Sequence, residues 1–208
     1  MVKDFNVVLE DDDIEVVAEV IGGINPAYKF TKMALEKGKS VVTSNKELVA
    51  NKGAELLKIA HEHNCNYLFE ASVGGGIPII RPLNKCLAGN AIEQISGILN
   101  GTTNFILTKM IREQLDFESA LKMAQQLGYA EKDPTADVEG HDACRKICIL
   151  GSLAYGKHIY PQYVHCSGIS NITLDDVAYA ENAGYAIKLI GSVKPAGDGK
   201  VSAIVCPR

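Results

Sequence analysis

The chain has 208 residues, 47% of them hydrophobic, with 21 Lys and Arg against 25 Asp and Glu for a net charge of −4. That is enough apolar material for one large core or two small ones, and it is not the composition of a disordered chain. No basic run offers a footprint for nucleic acid or an anionic membrane surface, and apolar runs such as 77–80 and 147–150 fall far short of the roughly 20 residues of a membrane span.

The opening residues, "MVKDFNVVLEDDD", carry neither the apolar stretch nor the small-residue cleavage site of a secretion signal, so a soluble protein in the reducing cytoplasm is expected. Asp11, Asp12 and Asp13 read as a solvated helix or turn cap. From 14 to 70 the pattern alternates: "IEVVAEV" as a strand, "PAYKFTKMALEKG" as a helix with Pro26 in its first turn, "SVVTS" as a strand, "KELVANKGAELLKIAHEH" as a helix and "NYLFEAS" as a strand. Such β-α-β-α-β order implies a parallel sheet with right-handed crossovers and ligands outside the carboxyl ends of its strands. The turns "IGGINP", "TSNK" and "ASVGGGIP" all fall at that edge.

Near Gly74 the pattern changes, and a helix opened by Pro78 is expected after the glycines. Strands "AIEQISGILN", "SGISNIT", "YAIKLIGSV" and "KVSAIVC" are then separated by helices "TTNFILTKMIREQL", "DFESALKMAQQLG" and "ADVEGHDACRKICILGSLAYG". Asp116 caps the second helix and Gly128 closes it. The expected architecture is a partial doubly wound parallel sheet over 1–73 followed by an α+β domain with a mixed sheet over 74–208. A dinucleotide-binding fold starts with a strand running into G-x-G-x-x-G, and this sequence does not supply that fingerprint. The sequence therefore reads as truncated at both ends, and cofactor binding by these 208 residues alone is expected to be weak.

Six cysteines without a C-x-x-C pair argue against a disulfide framework and read mostly as small buried hydrophobes. On the helix after Gly140, Asp142 and Lys146 share a face while His141, Cys144 and Cys148 share another. From spacing alone the charged pair is a surface i,i+4 ion pair; its apolar flanks and the polar loop before it (Glu131, Asp133, Asp137) allow instead a shielded ammonium that donates a proton. His141, Cys144 and Cys148 are buried packing more simply than zinc ligands, because structural zinc sites pair closely spaced cysteines in loops. The glycines of "SVGGGIP" permit close backbone approach to a ligand or ion. Lys46, at a strand end where a helix begins, reaches toward an anion or substrate oxygen or is simply solvated.

Taken together, "VVTSNKELVA", "LFEASVGGGIPIIRPL", "GILNGTTNFILTKM" and "LGYAEKDPTADVEGHDACRKICIL" resemble the homoserine dehydrogenase family, in order and spacing, over nearly the whole chain. The resemblance implies a Rossmann-like remnant and NAD(P)-dependent interconversion of aspartate 4-semialdehyde and homoserine in the synthesis of threonine, methionine and isoleucine. It implies Lys146 as proton donor, Asp142 as the acid that holds substrate and lysine, and Glu131 as partner of the substrate ammonium. Lys46 then lies near cofactor and substrate, and Gly22 and Gly128 border the cofactor, NADP or NAD. Glu70, Val73, Gly75 and Ile77 match positions whose main-chain oxygens hold a monovalent cation, usually sodium. A homodimer acting on a small-molecule substrate is implied as well. The alternatives are a truncated, non-catalytic homologue kept for its dimer-forming sheet, and a zinc protein built on the His141 cluster.

Overall fold

The computed structural model describes residues 3–208, which divide into two compact units: the chain up to Ala91 together with Ser152–Tyr160, and Ile92–Gly151 together with Pro161–Arg208. The first unit opens with a short helix α1 (Asn6–Glu10) that the sequence reading did not anticipate. It continues β1 (Val16–Glu19), α2 (Ala27–Glu36), β2 (Ser40–Thr43), α3 (Lys46–Glu62) and β3 (Tyr67–Leu68). The strands form a parallel sheet in the order β1-β2-β3, as the alternating pattern predicts. Its inner face carries Val41 and Tyr67, both buried, while Val16, Val20 and Leu68 on the opposite face are exposed.

The loop after β3 tightens into a 3-10 turn, Glu70–Ser72, and the next helical stretch begins at Ile80 rather than at Pro78. Pro82 opens its π-helical part, Pro82–Cys86, where a missing backbone donor costs nothing in the first turn. The Glu70 carboxylate accepts from the amides of Ile79, Ile80 and Arg81 at 2.6, 2.7 and 2.7 Å, and so fixes where that stretch starts.

The second unit is a mixed sheet ordered β4-β6-β7-β5, with β4 (Ile95–Gly97), β5 (His165–Cys166), β6 (Leu189–Pro195) and β7 (Val201–Pro207). Only β5 runs parallel to its neighbour. Its helices are α4 (Gly101–Glu113), α5 (Phe117–Gln126), α6 (Thr135–Val138), α7 (His141–Tyr155) and α8 (Leu174–Asn182), and the last turn of α7 belongs to the first unit. Ile147 of α7 is fully buried and lies 3.5 Å from where a side chain on Gly191 of β6 would begin, so the bare backbone there lets helix and sheet close together.

Two expectations need correction. The single helix read over 136–156 is two, α6 and α7, broken at Gly140, whose φ of +81° no helix continues through. A β-carbon at Gly140 would also meet Cys166 Sγ at 3.1 Å and Val205 Cγ1 at 3.3 Å. The strand expected over 167–173 is a turn: the amide of Ile169 bonds Val138 O at the end of α6, and Thr173 then caps α8 in a reciprocal box with Asp176.

Candidate active site

Asp116 and Asn100 are true caps, accepting from Ser119 N at 2.8 Å and Thr103 N at 2.8 Å, and together they set the starts of α5 and α4. Thr102, in the first turn of α4, donates to Tyr129 O at 2.6 Å, and Phe105 stacks on the Tyr129 ring at 4.7 Å. These contacts tie the loop that carries Gly128, with φ +78°, and Glu131 to the start of α4. Gln125 holds the same loop from α5, its amide 3.1 Å from Glu131 O, while the Glu131 residue itself is exposed.

Asp142 and Lys146 lie one turn apart on α7, their charged atoms 2.8 Å apart and their side chains 7% and 15% exposed. The plain surface pair that spacing favours is therefore not what folds. Ile147, Cys148, Ile149 and Leu150 bury α7 on both sides of the charged stripe and shield the pair. Lys146 Nζ also donates to Leu99 O at 2.9 Å, and Asn100 Nδ2 donates to Asp142 Oδ2 at 2.9 Å and to Asp137 Oδ1 at 2.6 Å. Asn100, 6% exposed, is the residue sequence reading missed. Its sequence signal was only that of a helix cap. An ammonium fixed by a carboxylate and a carbonyl in a shielded place can both stabilise a developing oxyanion and deliver a proton.

The other candidates lie in the first unit. Lys46 opens α3 behind Asn45, which accepts from Leu48 N at 3.0 Å and donates to Gly23 O at 2.6 Å. Thr43 Oγ1 accepts from Asn45 N at 2.9 Å and donates to Glu19 Oε2 at 2.7 Å, so one chain of bonds joins the ends of β1 and β2. Gly22 and Gly23 have φ of +82° and +69°, and a β-carbon on either would meet nothing within 4 Å. A cavity of about 310 Å³ opens along this strand-end edge, lined among others by Ala18, Glu19, Thr43, Ser44 and Glu70. Its lining is made of the carboxyl ends of the three strands and the residues just after them, the edge at which parallel sheets take up ligands.

Glu70, Val73, Gly75 and Ile77 fall within one tight loop. The Glu70 carboxylate is spent on the amides of residues 79–81, and its main-chain oxygen accepts from Val73 N at 3.4 Å. Gly74 is pinned there, since a β-carbon would stand 2.9 Å from Ile77 O. The zinc reading fails: no group of three or more His, Cys, Asp or Glu side chains among the described residues is placed to hold a metal ion. His141 is exposed, Cys144 and Cys148 are buried, and a hydrogen bond with Cys148 raises the Cys144 thiol to about 12. No helix among the described residues is long and apolar enough to cross a membrane.

Known proteins match this chain along its length. The family profile described as homoserine dehydrogenase covers residues 78–208, and that described as homoserine dehydrogenase, NAD binding domain, covers residues 1–70. The homoserine dehydrogenase of Bacillus subtilis is 48% identical over 96% of this chain and 46% of its own length. That of Synechocystis is 47% identical over 91% of the chain and 44% of its own. A crystal structure of a homoserine dehydrogenase from Thiobacillus denitrificans superposes with a TM-score of 0.94 at 44% identity, covering 99% of this chain and 47% of that one. A hyperthermophilic archaeal homoserine dehydrogenase solved in complex with NADPH gives 0.83 at 33% identity, over 99% of this chain and 59% of that one. The chain thus spans about half the length of the curated relatives it matches.

Proposed function

Because the chain belongs to the homoserine dehydrogenase family, we propose that its residues serve NAD(P)H-dependent reduction of L-aspartate 4-semialdehyde to L-homoserine, a step toward threonine, methionine and isoleucine. The observation that carries the reading is the shielded ion pair of Lys146 and Asp142, 2.8 Å apart and fixed to Leu99 O and Asn100. Reduction of an aldehyde places negative charge on its oxygen. Lys146 stabilises that charge and gives up a proton to it, while Asp142 and the Leu99 carbonyl hold the ammonium in register. Glu131, on the loop that α4 and α5 anchor, pairs with the substrate ammonium. When bound, the reduced nicotinamide supplies the hydride.

In the same reading residues 1–73 are the nucleotide-binding part, with Gly22 and Lys46 at the cofactor. Residues 74–208 are the catalytic and dimerising part, with Gly128 also bordering the cofactor, in a cytoplasmic homodimer. The main-chain oxygens of Glu70, Val73, Gly75 and Ile77 hold a monovalent cation, sodium by preference. Gly74→Ala, which pushes on Ile77 O, should then abolish any rise in melting temperature that sodium chloride gives over choline chloride.

The test of the reaction is loss of reduced-nicotinamide absorbance on adding aspartate semialdehyde to the protein carrying these residues, beside Lys146→Ala and Lys146→Arg. A fall in kcat of about a thousandfold for Lys146→Ala is expected. Full activity in that variant would end the reading.

A further inference from the structure

Asn100 uses every part of its carboxamide. Its Oδ1 accepts from Thr103 N at 2.8 Å and from Thr103 Oγ1 at 3.0 Å, which is the cap of α4. Its Nδ2 faces the other way and donates to Asp137 Oδ1 at 2.6 Å and Asp142 Oδ2 at 2.9 Å. Asp142 Oδ2 is the same atom that meets Lys146 Nζ, and Lys146 Nζ also bonds the carbonyl of Leu99, the residue just before Asn100.

A helix cap needs only an oxygen acceptor, and Ser or Asp would serve as well. The side chain here does more than cap. A carboxamide can accept at one end while two N–H groups donate at the other. The charged groups that meet that donor end are Asp137 on α6 and Asp142 on α7, with Lys146 one turn further along α7. Two carboxylates brought to a common point repel, and a neutral double donor joins them without a second cation that would compete with Lys146. With 6% exposure, Asn100 leaves water little room to do the same.

From this arrangement we infer that Asn100 is a positioning residue for the proposed reaction: its amide group holds the Asp137 and Asp142 carboxylates at a fixed separation and thereby aims the Lys146 ammonium. The inference rests on the catalytic reading of Lys146 and Asp142 above, and it extends the site to the start of α4.

Asn100→Asp and Asn100→Ser test it, because both replacements cap a helix about as well as asparagine. If Asn100 only capped α4, Asn100→Ser would melt like the wild type and keep its kcat, KM and pH profile. As a positioning residue it gives a different pattern. In Asn100→Asp a third carboxylate replaces the donor, so kcat should fall about a hundredfold and the acid limb of its pH profile should move up by about one unit. In Asn100→Ser, with no added charge, kcat should fall about fivefold with KM nearly unchanged.

A second measurement needs no turnover: carbon-13 titration of the Asp142 carboxyl in the 208-residue chain, whose midpoint should rise in Asn100→Ser, where the amide donor is lost without any added charge. An inactive wild type in the semialdehyde assay of the protein carrying these residues would defeat the catalytic reading, and the titration would still decide whether Asn100 governs the carboxylates. Unchanged kcat, pH limb and titration in both variants overturn the proposal. Should Asn100→Asp fail to fold, an unchanged kcat in Asn100→Ser overturns it alone.

Discussion

Among the described residues each unit buries one carboxylate at the end of a structural element, and the two are held by different kinds of donor. Glu19, 4% exposed at the end of β1, accepts from Ile21 N at 2.7 Å, Gly22 N at 3.4 Å and the Thr43 hydroxyl at 2.7 Å. Asp142, 5% exposed at the start of α7, accepts from the Lys146 ammonium and the Asn100 amide. Neutral donors pin one strand end to the next and keep their protons. A cation beside the carboxylate instead leaves a proton that can be passed on. Burial alone therefore does not mark a reactive acid; the identity of its donors does.

The sharpest way to break that contrast is Lys146→Ala. On the reading above it lowers kcat/KM for semialdehyde reduction about a thousandfold, near 4 kcal/mol of transition-state stabilisation. It also lowers the urea midpoint, since Asp142 loses its charged partner in a shielded place. A rate loss that merely tracks the unfolded fraction would put Asp142 in the same scaffold class as Glu19.

The converse change is Glu19→Ala, which strands the amide of Ile21 and the Thr43 hydroxyl and should cost about 2 kcal/mol in urea unfolding. Glu19→Gln should stay within about 1 kcal/mol of the wild type, because an amide oxygen still accepts and the hydroxyl can turn round. If Glu19→Gln cost as much activity as Lys146→Ala, the contrast would be lost.

Two smaller effects assign pH-dependent stability to the first unit. Burial pushes the Glu70 carboxyl up, but the amides of Ile79, Arg81 and Ile80 and the Arg81 charge outweigh it and bring it below its ordinary 4.5. A depressed carboxyl stabilises the fold fully above its unfolded value, and that contribution disappears as pH falls through the folded one. Glu70→Gln should thus flatten the fall of the melting temperature between about pH 5 and pH 3. Burial lowers His158 from 6.5, against a bond that the ring donates to the Ala50 backbone, which raises it. Its neutral form belongs to the fold, so stability is full above about 6.5 and declines as acid charges the ring. His158→Gln should remove that shallow slope, read as melting temperature against pH.

The first unit was legible because its signals are local. Pro26, Asn45 and the apolar spacing of α2 and α3 say where helices begin and which faces they bury, and the parallel sheet follows. The second unit was legible only in part. Helix α8 was missed although Thr173 and Asp176 spell its capping box, because the preceding "SGISNIT" mimics a short strand. That segment is drawn instead to the end of α6, where a side chain on Gly168 would begin 2.3 Å from Val138 O. The pairing of Asp142 with Lys146 could be read from one turn of helix, but its shielding could not. Asn100 was out of reach for the same reason, since its two carboxylate partners stand 37 and 42 residues away and only the folded chain brings them to one amide.

The glycine that parts α6 from α7 carries a consequence for charge. By ending one helix and starting another at His141, it places Asp142 in an opening turn, where unpaired amides leave the axis with about half a positive charge. In an unbroken helix the same aspartate would have stood mid-axis, without that field. The macrodipole of α7 adds roughly 0.3–1 kcal/mol in favour of negative charge at Asp142. In the proposed reaction that field would favour the carboxylate of Asp142 while Lys146 gives up its proton, and the neighbouring anion would help draw the next proton back to the amine.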